Sequence, residues 1–235
     1  MAMEAKQSPT GKAERAIAAD GKTYFSYAQV HEAVTSVVPE VKAFKPDVIV
    51  AIGGGGFIPA RMLRTEVRVP ILAISLELYD DSTRTANPHV LKKQWFDENT
   101  GFGKLVRGAR VLVVDEVDDT RATLQYAVEE LVRSNGPSQV ATFCVFNKLK
   151  PKKGKLPDTV KMIVGMHIQD NWSCFPWDAA AYGRDIRAHE SLARWCAQET
   201  GILGRILPTD PVAAFAFGAA GAAAVALALR FIAPK

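Results

Sequence analysis

The run Arg110-Val-Leu-Val-Val-Asp115 sets four consecutive apolar residues between a cation and a carboxylate. A short unbroken apolar run of this kind reads as a strand covered on both faces, which parallel sheets contain and half-exposed antiparallel sheets do not. A turn follows, then an amphipathic helix with Leu124, Ala127, Val128 and Leu131 on one side. The same order occurs earlier. Asp47-Val-Ile-Val-Ala-Ile52 is a buried-strand run, followed by glycines and a helical segment containing Ala60, Met62 and Leu63. Val69–Ser75, Val140–Phe146 and Met162–His167 read as further strands, and Ile186–Ala197 as a helix. Strands alternating with helices predict an α/β fold with a doubly wound parallel sheet. Such sheets bind ligands beyond the carboxyl ends of their strands, which directs attention to the residues just after Ile52 and Val114.

Two stretches lack this pattern. Residues 1–22 are small and polar and read as a disordered lead-in; they have no apolar core of signal-peptide length, and Glu4, Glu14 and Asp20 do not suit a transit peptide. Order is expected from near Tyr24, where Ser26 and Gln29 have capping-box spacing. Val30, Val34, Val37, Val38 and Val41 then form one apolar helical face. The segment from Asp80 to Gly108 is polar, contains Pro88 and several glycines, and is expected to be a long loop acting as a functional lid. With 29 basic against 25 acidic side chains, a net charge of +4 is too thin for nucleic-acid binding by bulk charge, so no nucleic-acid partner is expected. Cys144, Cys174 and Cys196 form neither a disulfide framework nor a CxxC metal knuckle, which favours a reducing compartment.

The chemistry concentrates where the central strand ends. Asp115, Glu116, Asp118 and Asp119 crowd four carboxylates into five positions, and Thr120 and Thr123 open the next helix. Carboxylates at a strand end can accept hydrogen bonds from vicinal ribose hydroxyls. A helix N-terminus with free N–H groups and two hydroxyls suits a phosphate. Together they suit a sugar phosphate. The plainer alternative is an acidic strand end in which Asp119 or Thr120 merely caps the helix. The second feature is Ile52-Gly-Gly-Gly-Gly-Phe-Ile-Pro-Ala-Arg61, where glycine allows the backbone to approach an anion closely. Its spacing fits neither a P-loop nor a dinucleotide fingerprint. Arg61 or Arg64 could supply charge to an anion there, or could be solvated helix cations.

The acid-rich turn resembles the phosphoribosyl-pyrophosphate (PRPP) signature of type I phosphoribosyltransferases: an apolar strand, two acids, two residues, Asp-Thr, two residues, Thr. The resemblance implies that Asp115 and Glu116 hold the ribose hydroxyls and a Mg²⁺ ion. It implies that Asp119, Thr120, Arg121, Ala122 and Thr123 bind the 5′-phosphate, with Asp119 as general acid/base near the base. Arg121 replaces a glycine common in the family and Asp118 an apolar residue; both recur in its fungal-type purine branch. The glycine run corresponds to the family's pyrophosphate loop, with Gly54 and Gly55 at the ligand, and Gly54 stands where many relatives carry a basic residue. Phe146-Asn-Lys148-Leu-Lys-Pro151 resembles the segment whose lysine donates to a purine O6, which singles out Lys148. The neighbouring Lys150, Lys152 and Lys153 support the plainer alternative, a solvated basic loop, while position at a strand end favours Lys148 over them. Asp170-Asn-Trp172-Ser-Cys-Phe-Pro-Trp177-Asp178 resembles the base-binding hood of the 6-oxopurine members. It implies Trp172 stacking on the base, the Ser173 carbonyl at C2, Asp178 assisting magnesium, and Arg184 on pyrophosphate.

The implied protein is a hypoxanthine, guanine or xanthine phosphoribosyltransferase with a catalytic domain over 23–200, a hood over about 149–190 and a homo-oligomeric assembly. A PRPP-sensing regulator without chemistry is the alternative from another class. Residues 211–229 form an uncharged stretch of nineteen, mostly alanine, close to the minimum span of a bilayer, about 20 residues. Within a hydrophobic helix over 205–235, this stretch is read as a tail anchor holding a cytoplasmic domain to an intracellular membrane. An alanine-rich helix packed on the domain or on a partner is the alternative.

Overall fold

The computed structural model describes residues 17–80, 85–97, 99 and 101–198. The tail at 205–235 and most of the lead-in lie outside the described residues. In chain order the elements are β1 (Lys22–Tyr24), α1 (Tyr27–Ser36), α2 (Val38–Phe44), β2 (Val48–Gly53), α3 (Phe57–Val67), β3 (Ile71–Asp80) and β4 (Thr85–Gln94). After a 3-10 turn at Gly101–Leu105 come β5 (Arg110–Asp118), α4 (Ala122–Asn135), β6 (Gln139–Lys148), β7 (Lys161–Ile168) and β8 (Trp172–Cys174). A second 3-10 turn at Pro176–Tyr182 leads into α5 (Ile186–Gln198).

The two apolar runs lie side by side in the centre: β2 pairs in parallel with β5, Val48 with Val111 and Ala51 with Val114. The sheet order is β4-β3-β2-β5-β6-β7, and only β4 runs antiparallel to its neighbour. Side chains alternate across the sheet, so each central strand feeds two cores. Ile49, Ala51, Leu112 and Val114 pack under Ala60 and Leu63 of α3 and the valines of α1 and α2. Val48, Val50, Ile52, Val111 and Val113 pack under Leu124, Ala127, Val128 and Leu131 of α4. This is the doubly wound α/β sheet. Its strand order reverses between β2 and β5, since β2 continues to β3 on one side and β5 to β6 on the other. The crevice at such a reversal is where these sheets bind ligands.

The capping box forms: Ser26 Oγ accepts from the Gln29 N–H at 3.1 Å, and Gln29 Oε1 from the Ser26 N–H at 2.8 Å. All five valines are buried, but on two helices rather than one. The helix breaks at Val37, and α2 restarts with Pro39 in its first turn, where a missing N–H costs nothing.

Two expectations need correction. The Asp80–Gly108 segment is not a structureless loop, because β4 occupies its first part and pairs with β3 at the sheet edge. The hairpin base is fastened to α4 by Lys92 and Glu130 at 2.7 Å and by the Trp95 indole N–H on Asn135 Oδ1 at 3.0 Å. A polar edge strand with irregular register does not show a clean alternation. Residues 17–22, assigned to the lead-in, already meet the fold, although residues 17 and 19–21 are exposed. Ala18 is buried, β1 begins at Lys22 and pairs in parallel with β8, and Tyr24 Oη donates to Asp20 at 2.6 Å. The hood therefore takes one strand from the N-terminal end of the chain.

Candidate active site

The carboxyl ends of β2 and β5 and the middle of β3 enclose a cavity of about 380 Å³ lined by residues 52–55, 75–77, 115–121, Thr123 and Leu124. It sits at the reversal of strand order. Parallel register brings the glycine turn onto the acid pair: a Cβ added at Gly55 would lie 1.9 Å from the Glu116 carboxyl carbon. A side chain at 55 would displace the Glu116 carboxylate from its place, which glycine avoids. The Gly53–Gly54 peptide is cis. Asp115 is buried, and its carboxyl accepts from the Glu116 N–H at 3.0 Å. Burial first, and then the neighbouring Glu116 charge, push the Asp115 carboxyl well above the usual carboxylate range. Hydroxyl donors or a hard cation at the pair would relieve that strain.

The turn after β5 is anionic only in its side chains. The N-cap of α4 is Arg121, at φ +67°, whose own side chain makes no capping hydrogen bond. Thr120 Oγ1 accepts from the Ala122 N–H at 3.5 Å, a long bond to the first turn of the helix. The first-turn N–H groups and the positive helix end face a cavity lined by Thr120, Arg121 and Thr123, an arrangement suited to phosphate. The two departures from the family signature are partners of each other. Arg121 Nε and Nη2 donate to Asp118 Oδ2 at 3.0 and 2.8 Å, a paired arrangement that a fully buried carboxylate requires.

Three lysines flank the acid-rich turn from the β6 side, and none of them is among the residues lining the cavity. Lys148 Nζ lies 3.2 Å from Asp119 Oδ1, and Lys150 Nζ donates to the same oxygen at 2.7 Å and to Asp170 at 2.9 Å. Burial alone would raise the Asp119 pKa, but the Lys150 hydrogen bond and the Lys148 charge outweigh it and hold the carboxyl below its ordinary value. The hydrogen bond to Asp119 lifts the Lys150 ammonium above its own. Lys152 Nζ donates to the carbonyls of Asp118 and Asp119 at 2.7 and 2.9 Å. Burial pulls its ammonium below the usual lysine value, against the nearby Asp118 charge. Lys150 and Lys152 are therefore not part of a solvated loop. The missed signal was their spacing: Lys148, Lys150 and Lys152 sit at alternate positions and are partly covered, while Leu149, Pro151 and Lys153 between them are exposed. Ser75 and Glu77 also line the cavity and were not singled out, because β3 runs past Ser75 to Asp80.

The hood divides its two tryptophans. Trp177 stacks on Phe175 at 5.0 Å and belongs to the core. Trp172 is 48% exposed, and its indole N–H donates to Tyr182 at 3.1 Å. It follows Asp170, the partner of Lys150, by two residues, and neither it nor Ser173 is among the residues lining the cavity. Ser173 is held in β8 by pairing with Thr23. Asp178 lies on the second 3-10 turn, and neither it nor Arg184 is among the residues lining the cavity. Arg184 donates to Tyr24 Oη at 3.3 Å and Asp20 at 3.4 Å. Arg61 and Arg64 are exposed on α3, also outside the cavity lining.

Comparison with known proteins is consistent with this geometry. The chain is 37% identical to xanthine phosphoribosyltransferase 1 of Saccharomyces cerevisiae, across 76% of this chain and 98% of that protein. It is 39% identical to the hypoxanthine-guanine phosphoribosyltransferase of Schizosaccharomyces pombe, across 72% of this chain and 93% of that protein. A solved Neisseria gonorrhoeae protein described as hypothetical, with bound ppGpp, is similar at a TM-score of 0.64 and 36% identity, over 74% of this chain and 96% of that one. The purine phosphoribosyltransferase of Pyrococcus horikoshii aligns at a TM-score of 0.51 and 26% identity, over 67% and 94%. The sequence pattern of the phosphoribosyl transferase domain matches residues 26–182, from the α1 cap through the hood. By that match and by its relatives, the chain belongs to the phosphoribosyl transferase domain family.

Proposed function

We propose that this protein is a purine-salvage phosphoribosyltransferase. It moves 5-phosphoribose from PRPP to N9 of a 6-oxopurine (hypoxanthine, guanine and/or xanthine), releasing pyrophosphate and forming the nucleoside 5′-monophosphate. The observation that carries this reading is the meeting of Asp119 with Lys148 at 3.2 Å beside a cavity walled by a glycine turn, an acid pair and the N-terminal end of α4. In this reading Asp115 and Glu116 accept the ribose hydroxyls, and residues 119–123 bind the 5′-phosphate. The turn at Gly54 and Gly55 holds pyrophosphate, Lys148 donates to the purine O6, and Asp119 handles the proton at N7. Trp172 stacks on the base, and the Ser173 carbonyl meets C2. The N. gonorrhoeae neighbour was solved with ppGpp, a guanine nucleotide, which supports a guanine-type ligand for this chain too. The transition state should resemble an oxocarbenium ion, so catalysis comes from positioning and charge stabilisation.

The donor set at the acid pair consists of hard oxygens, which fits Mg²⁺. Among the described residues no group of three or more His, Cys, Asp or Glu side chains is placed to hold a metal ion. Magnesium commonly uses one or two carboxylates together with substrate oxygens. Asp115 and Glu116 would hold it, and the ion would neutralise charge on the departing pyrophosphate. The part assigned to Asp178, and that assigned to Arg184, rest on the resemblance alone. Purified protein incubated with PRPP, Mg²⁺ and each of the three bases should yield a monophosphate and pyrophosphate from at least one. No monophosphate from any base would leave the non-catalytic reading.

The resemblance also implies a homo-oligomer. Among the described residues no helix is long and apolar enough to cross a membrane, and residues 211–229 lie outside them. The anchor reading of that tail is tested by fractionating cells that express the full chain or residues 1–209. A full chain found in the soluble fraction refutes it.

A further inference from the structure

The phosphate-side turn is tied down from outside the cavity by a strap that the family signature does not include. Lys152 Nζ donates to the main-chain carbonyls of Asp118 and Asp119 at 2.7 and 2.9 Å, and lies 3.3 Å from Asp118 Oδ2. The next two residues continue the strap. The N–H groups of Lys153 and Gly154 both donate to the Thr120 carbonyl at 3.0 Å. A Cβ at Gly154 would stand 2.5 Å from the Arg121 carbonyl oxygen and 2.9 Å from the Ala122 nitrogen, so strap and turn touch backbone to backbone. The Lys152 side chain is only 13% exposed. Three consecutive carbonyls, of Asp118, Asp119 and Thr120, thus point at the strap.

In a trans peptide the N–H lies opposite the carbonyl. Fixing those three carbonyls outward turns the N–H groups of Asp119, Thr120 and Arg121 toward the cavity side. We propose that Lys152 is a positioning residue that, with the Lys153–Gly154 backbone, holds the turn at 118–121 so that its N–H groups converge on the ligand's 5′-phosphate. This rests on the reading that residues 119–123 bind that phosphate. Lys152 touches no substrate; it acts through the turn's carbonyls and through Asp118, whose other cation is Arg121. The strap also accounts for Arg121 being held at φ +67°, a conformation for which a glycine would ordinarily be chosen.

The test compares two probes differing only in the phosphate, guanosine 5′-monophosphate and guanosine, bound to the full-length protein by calorimetry. The wild type should bind the monophosphate far more tightly. Lys152→Met should lose about tenfold or more of the monophosphate affinity, because displaced binding groups are costly even at small distances, while guanosine affinity stays unchanged. Lys152→Arg, which keeps charge and donors, should recover most of the loss. Gly154→Ala pushes on the turn from the strap without touching any lysine and should reproduce the selective loss; it carries the test if Lys152→Met fails to fold. Equal losses for both probes, or no loss for the monophosphate, overturn the positioning role. A wild type that binds both probes equally overturns the phosphate reading itself, and the Lys152 role with it.

Discussion

Replacing Asp119 by Asn separates chemistry from structure more cleanly than any other single change at this site. In the protein one carboxylate oxygen accepts from Lys150 at 2.7 Å and faces Lys148 at 3.2 Å. An amide keeps an oxygen in the same place, so both lysines retain an acceptor, but the charge is lost. The donors stay charged, so what is lost is the ion-pair attraction, about 0.2–1 kcal/mol for each partly exposed pair. The expected loss of stability is therefore about 1 kcal/mol, or about 2–4 °C in Tm for a domain of this size. The loss of rate should be much larger. A positioned acid/base group contributes about 10²- to 10⁴-fold, equal to about 3–5 kcal/mol on the barrier.

The pH dependence has a definite sign. Asp119 is held below the ordinary aspartate value near about 3.9 chiefly by Lys150, against burial. A depressed carboxyl contributes stability that is present above its unfolded pKa and lost as pH falls through the folded one. The Tm gap between wild type and Asn variant should thus be constant at neutral pH and close only in acid. Lys150→Met removes the leading downward influence, so the acid limb of kcat/KM should move to higher pH in that variant. The assay is steady-state kcat and KM with PRPP and each base across pH, alongside thermal melts. An Asn variant retaining more than about a fifth of wild-type kcat would contradict the general acid/base role, given the range above. An acid limb that Lys150→Met leaves in place would show that Lys150 does not set the charge state of Asp119.

Three further outcomes follow from the same geometry. Trp172→Ala should raise KM for the base about 5- to 100-fold, from a stacking term of about 1–3 kcal/mol, with KM for PRPP little changed. An unchanged base KM would remove Trp172 from the slot. Gly55→Ala would place a methyl carbon 1.9 Å from the end of the Glu116 side chain, which can swing away at little cost to folding but takes the acid pair with it. KM for PRPP should therefore rise about tenfold or more while Tm stays near wild type, and a large Tm drop with intact KM would refute this. Chelating divalent metal should abolish turnover and adding Mg²⁺ should restore it; full activity in chelator would exclude the metal role given to Asp115 and Glu116.

What could be read in the sequence was what is local. The run at 110–115 needed no partner to be recognised as a strand covered on both faces, and its neighbour at 47–52 carried the same mark. Their parallel pairing then followed from the fold class, and it brings the glycine turn to the acid pair. The β3–β4 hairpin escaped because its order comes from pairing at a sheet edge and from side contacts such as Lys92 with Glu130, none of which leaves a periodic trace between Asp80 and Gly108. Arg184, which the resemblance alone puts on pyrophosphate, also has partners that the sequence does not reveal, because its bonds to Asp20 and Tyr24 span some 160 residues of chain.

The lysines are the instructive case. A cluster of four cations in six residues, at 148, 150, 152 and 153, reads by composition as a solvated patch, and only one of them was tied to a role. Composition discards order, and order holds the answer. Beyond the end of β6 the chain stays extended enough for alternate residues to share a side, so Lys148, Lys150 and Lys152 all turn toward the acid-rich turn while Lys153 faces water. Four carboxylates at 115–119 cannot be crowded together without compensating charge, and the nearest compensation lies in the loop after the adjacent strand, because β5 and β6 pair in parallel up to Asp118 and Asn147. An acidic strand end beside a strand whose exit carries lysines at every second position is therefore a joint signal. Neither half is decisive alone, and together they place cations on Asp118 and Asp119 before any coordinate is known.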